Sequence, residues 1–74
     1  MNADEALTAT QQVLQQVLDL PAPPPPTARL RGDLAMSSYA MMEAAVLLED
    51  RLGGTADFGK IARANTVEEL SRAW

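Results

Sequence analysis

The chain has 74 residues, no cysteine, no histidine and a net charge of −4. That length supports one small domain. The missing residue types exclude disulfides, thiolate metal sites, and the commonest general base and metal ligand. A self-sufficient enzyme is therefore not expected, and neither a catalytic residue nor a metal site is assigned.

Hydrophobic residues make up 47% of the chain, but much of that is alanine, so the core must rest on Leu, Val and Met. The acidic balance has no basic stripe, which argues against nucleic acid and suits partners with basic surfaces. No apolar run is long enough to cross a bilayer. No basic segment leads into an apolar one at the N-terminus. The expectation is a cytoplasmic, monomeric protein without membrane contact.

The first helix is predicted over about 3–19. Asn2 can cap it, and Glu5 three residues on completes a capping-box pattern. Leu7, Thr10, Leu14, Val17 and Leu18 recur at helical spacing, with Val13 at the edge of the stripe. Pro21 stops the helix. Residues 20–36 are read as a long Pro-rich loop, since the four prolines 23–26 favour polyproline II. The segment reads as a stiff connector, or as a docking motif for an aromatic groove. Leu30, Leu34 and Met36 would pin the loop to the core.

A second helix is predicted over about 37–52, stopped by Gly53-Gly54. Its inward stripe is read as Tyr39, Met42, Val46 and Ala45, continued by Leu48 or Leu52. Met41 and Ala44 fall off that stripe. Met41 then serves either as an adaptable contact beside Glu43 or as a partly buried residue. A short helix over about 57–64 would be anchored by Phe58 and Ile61. A last helix over about 66–74 starts at Thr66, with Glu69 closing its capping box and Val67, Leu70 and Trp74 facing inward. The fold class is all-α: one domain over 1–74, with three main helices and one short one.

Ser37 and Ser38 stand where the loop gives way to the second helix. Three roles compete for this pair. A helix cap is the plainest, because serine is a preferred N-cap residue. A nucleophile fails on inventory, with no base present and no Gly-x-Ser-x-Gly elbow. A residue modified by another enzyme needs only exposure and a helix start, where backbone N–H groups and the dipole favour a phosphate.

The order of features narrows the choice. A capped helix precedes a long loop. Asp33-Leu34-Ala35-Met36-Ser37-Ser38-Tyr39 then opens an acidic helix ending in Leu52-Gly53. A short helical segment and Thr66-Val67-Glu68-Glu69-Leu70 follow. This arrangement resembles the acyl and peptidyl carrier proteins of fatty-acid, polyketide and nonribosomal-peptide synthesis, over nearly the whole chain. The resemblance implies that Ser38 accepts 4′-phosphopantetheine from coenzyme A through a phosphopantetheinyl transferase. In this register Tyr39 takes the family's apolar position after the serine, and Glu43 takes its usual glutamate. Met42 and Val46 fall on the core side. Moving the modified residue to Ser37 breaks these matches.

Two positions depart from the family. Ser37 replaces the aspartate that usually precedes the modified serine, and Tyr39 replaces leucine. Asp33 lies too far from Ser37 to be an obvious local replacement. The resemblance further implies a non-catalytic carrier of acyl or aminoacyl thioesters. Its partners would be a loading enzyme and downstream synthase or tailoring enzymes. Met41, Glu43, Ala44, Glu49 and Asp50 would be the docking residues. The Pro-rich loop and the modest acidity of the second helix favour secondary metabolism of the polyketide or nonribosomal-peptide type. The competing class is a small helical protein-interaction domain without a prosthetic group.

Overall fold

The computed structural model describes residues 2–73. Four helices follow one another: α1 (Ala3–Leu18), α2 (Ser38–Leu52), α3 (Phe58–Arg63) and α4 (Val67–Ser71). The described residues form no β-strand, only an isolated bridge between Arg29 and Thr66. α1 packs against both α2 and α4.

Asn2 caps α1, its Oδ1 accepting the Glu5 amide at 2.8 Å. The helix ends one residue before the expected boundary. Asp19 takes a left-handed conformation (φ 53°), and the Leu20 amide turns back to the Gln15 carbonyl at 2.9 Å. The buried face is Ala6, Ala9, Thr10, Val13 and Leu14. Leu7, Val17 and Leu18 are only half-buried at its edge. Val13, expected at the margin, is 1% exposed. The stripe is rotated towards Ala6 and Ala9, which are buried although they weigh little in a hydrophobicity count.

The Pro-rich loop is bound to the start of α4. Proline lacks an N–H but keeps its carbonyl. The Pro26 carbonyl accepts the Glu68 amide at 3.0 Å, and the Ala28 carbonyl accepts that of Val67 at 3.0 Å. Thr66 Oγ1 accepts the Glu69 amide at 3.2 Å. The loop and this cap thus satisfy the first three donors of α4, which a helix cannot pair internally. Gln11 Nε2 donates to the Pro24 carbonyl at 3.0 Å, fixing the same segment to α1. These bonds make the segment a connector with occupied carbonyls. Leu30 and Met36 are buried and Leu34 is half-buried, so the loop is pinned as expected.

The phase of α2 differs from the expectation. Its buried residues are Met41, Ala44, Ala45 and Leu48. Tyr39, Met42 and Val46 are exposed. Apolar residues occur nearly all round this helix, so size alone favoured the wrong face. Ala44 and Ala45 turn inward with Met41 and Leu48 on the side of α2 that joins the core, and α2 packs against α1. Gly53 ends α2 with φ 73°, a conformation that favours glycine, and donates to the Glu49 carbonyl at 2.9 Å.

In α3, Asp57 caps the helix by accepting the Lys60 amide at 3.1 Å. Ile61 is buried, but Phe58 is exposed. A six-residue helix has room for one inward position beside the flanking Ala56 and Ala64, both buried, and Ile61 takes it. In α4, Val67 and Leu70 are buried. The helix is shorter than expected, ending at Ser71. The inward role expected of Trp74 lies outside the described residues.

Candidate functional site

Ser37 and Ser38 have distinct positions. Ser37 is the N-cap of α2, outside the helix with extended backbone, and its Oγ accepts the Ala40 amide at 3.1 Å. Its carbonyl accepts the Met41 amide at 3.0 Å. Ser38 is the first helical residue, and it is exposed. Its hydroxyl makes no hydrogen bond among the described residues. The amides of Ser38 and Tyr39 also find no acceptor there, and the first turn of α2 carries no acid. A negative group on Ser38 would therefore meet open donors and no local carboxylate.

Beside Ser38 a cleft of about 180 Å³ opens between α2 and α3. Met41 and Ile61 form its buried floor; Arg31, Ser38, Met42, Phe58 and Ala62 surround it. On the outer face of α2 a shallow groove of about 320 Å³ is lined by Tyr39, Met42, Glu43, Val46 and Leu47. Residues 39, 42, 43, 46 and 50 share one side of the helix at its natural spacing.

The proposed docking residues divide. Glu43 and Asp50 are exposed. Met41 is 4% exposed and Ala44 fully buried, so neither can meet a partner. Both belong to the face of α2 that packs inward. Glu49 is half-buried, and its Oε2 accepts the Ala56 amide at 3.2 Å, which holds the turn leading to α3. The large apolar residues that α2 exposes are Tyr39, Met42 and Val46, which were expected in the core.

Asp33 lies in the turn before the site. Its Oδ2 accepts the Arg29 amide at 2.8 Å, and its Oδ1 pairs with the Arg29 guanidinium at 3.5 Å. The backbone bond foremost, then the guanidinium, hold its carboxyl below the usual aspartate value of 3.8. Asp33 is thereby committed to the turn, consistent with its not replacing the family's aspartate beside the serine.

The family model for the phosphopantetheine attachment site matches residues 9–74. The chain belongs to that family. Neither the comparison with curated proteins nor that with solved structures returned a significant match. The family is defined by covalent attachment of 4′-phosphopantetheine, so this chain has a phosphopantetheine-bearing carrier role. Carrier domains of this family are generally non-catalytic and interact with modifying and synthase enzymes. An exposed serine hydroxyl at the start of α2, with open amides behind it and a cleft beside it, fits such a group. No described helix is long and apolar enough to cross a membrane.

Proposed function

We propose that Ser38 Oγ is the attachment point and that the chain presents acyl or aminoacyl thioesters to partner enzymes. The observation that carries this reading is the division of labour between the serines. Ser37 is spent on the helix cap, while the Ser38 hydroxyl is exposed and unengaged. Loading forms a bond from Ser38 Oγ to the β-phosphorus of coenzyme A. It breaks the pyrophosphate linkage, releases adenosine 3′,5′-bisphosphate and passes the serine proton to a base of the transferase. The chain supplies no base of its own, having no histidine. The bound group contributes a flexible arm with a terminal thiol, where cargo is held as a thioester at high effective concentration beside a docked enzyme.

Docking is assigned to the outer face of α2, where Tyr39, Met42 and Val46 offer apolar contact. Glu43 and Asp50 add charge that steers a basic partner. The partners would be a phosphopantetheinyl transferase, a loading enzyme, and synthase or tailoring enzymes of polyketide or nonribosomal-peptide type, in the cytoplasm. The Pro-rich loop, unusual for a primary-metabolism carrier, supports that setting.

Incubation with coenzyme A, magnesium and a broad-specificity transferase tests the carrier reading by intact mass. The expected result is a gain of one phosphopantetheine. A folded protein that gains none with any transferase tried would overturn it.

A further inference from the structure

The turn before α2 is closed at its neck. The Leu30 carbonyl accepts the Met36 amide at 3.0 Å, and the Leu30 amide donates to the Asn65 carbonyl at 2.8 Å. Leu30 is fully buried and Met36 is 5% exposed, so both ends of the neck are packed. Arg31 directly follows one anchor, and Ser38 stands two residues past the other. Both therefore reach the same cleft.

Among the described residues, Arg31 has no partner of its own. Arg29 pairs with Asp33, Arg72 with Glu68, and Arg51 donates to Gln12 Oε1 at 2.6 Å. Arg31 makes no ion pair and no side-chain hydrogen bond among the described residues. Lys60 and Arg63 likewise make no ion pair among the described residues, but they line a separate cavity with Glu69 and Arg72. Among the described residues, Arg31 is thus the one cation lining the Ser38 cleft.

We infer that Arg31 is a positioning residue whose guanidinium pairs with the phosphodiester borne by Ser38 after loading. The inference rests on the proposed attachment at Ser38. A phosphodiester keeps one negative charge at neutral pH, and a guanidinium presents two parallel donors to such an anion. Ser37 sharpens the case. Where the family usually has an aspartate this chain has a neutral hydroxyl, so no adjacent carboxylate competes for Arg31. The pair is exposed, which makes it weak as a source of stability. Its effect is to orient the root of the arm towards the cleft.

The test compares apo and loaded wild-type protein by NMR, with intact mass recorded on the same samples. On loading, the Arg31 Nε–Hε signal is expected to shift and its exchange with water to slow. The signals of Arg29, Arg51, Arg63 and Arg72 should stay in place. The phosphorus resonance of the loaded protein should move in Arg31→Gln, and Arg31→Lys should restore part of that displacement. High salt should bring the wild-type resonance to the Arg31→Gln position, because an exposed pair is screened. An unmoved Arg31 signal in protein whose arm is mapped to Ser38 overturns the inference and leaves the attachment reading intact. An arm mapped elsewhere, or no arm at all, overturns both.

Discussion

Ser37 Oγ accepts the Ala40 amide at 3.1 Å, and that one bond separates the roles of two adjacent hydroxyls. The helix start is secured by Ser37. Ser38 can change chemically without unfastening α2. Ser37→Ala is expected to lower stability by about 1 kcal/mol, the usual cost of losing a cap. Ser37→Asp should keep the cap and leave stability nearly unchanged. Urea unfolding of the two variants measures the difference. Equal losses would show that Ser37 does not hold the helix.

The phase of α2 can be tested by truncation. Leu48 is fully buried and Val46 is 61% exposed. Leu48→Ala should cost about 3 kcal/mol through lost burial and the cavity left behind. Val46→Ala should cost less than about 0.5 kcal/mol. A small domain has little stability to spare, so the first variant should be visibly shifted in thermal melting. A larger loss for Val46→Ala would restore the phase first expected from size and periodicity.

Much of the architecture was legible in the sequence because it depends on local chemistry. Asn2 and Thr66 each cap the helix they precede, and Gly53 stops α2 with a positive φ. Leu30 and Met36 could be read as loop anchors because apolar side chains in a polar segment have few other uses. The face of α2 was not legible. Tyr39, Met42 and Val46 are large and apolar at helical spacing, and so are Met41 and Leu48 on the adjoining face. What chooses between them is the shape of the opposing α1 surface, a tertiary property. The candidate site divides the same way: Ser38 is proposed from the order of features, while Met42 and Val46, expected on the core side in that register, are exposed. Arg31 lines the cleft beside the Leu30–Met36 closure, which no local pattern shows.

The turn before Ser38 holds a backbone cost. Ala35 has φ 53°, a left-handed conformation unfavourable for a residue with a Cβ. Ala35→Gly removes that clash and adds some unfolded-state entropy. The net expectation is a gain of less than about 1 kcal/mol, seen as a higher urea midpoint. A clear loss of stability would mean that the left-handed turn is not populated at Ala35.

Asp33 supplies an acid-side prediction. Its carboxyl is held below 3.8 by Arg29, so the folded state releases this proton more readily than the unfolded chain. Its contribution is fully present above the unfolded value. It is lost as pH falls through the lower folded value. Urea midpoints followed from neutral pH into this acid range should fall more steeply for wild type than for Asp33→Asn. Parallel curves would exclude a stabilising role for the Arg29–Asp33 pair.

Which serine bears the arm is the central question for this protein. Wild type, Ser37→Ala and Ser38→Ala, each shown to be folded, are loaded under identical conditions and mapped by peptide mass spectrometry. The prediction is one phosphopantetheine on Ser38 in the wild type and in Ser37→Ala, and none in Ser38→Ala. An arm that persists in Ser38→Ala and disappears in Ser37→Ala would contradict it.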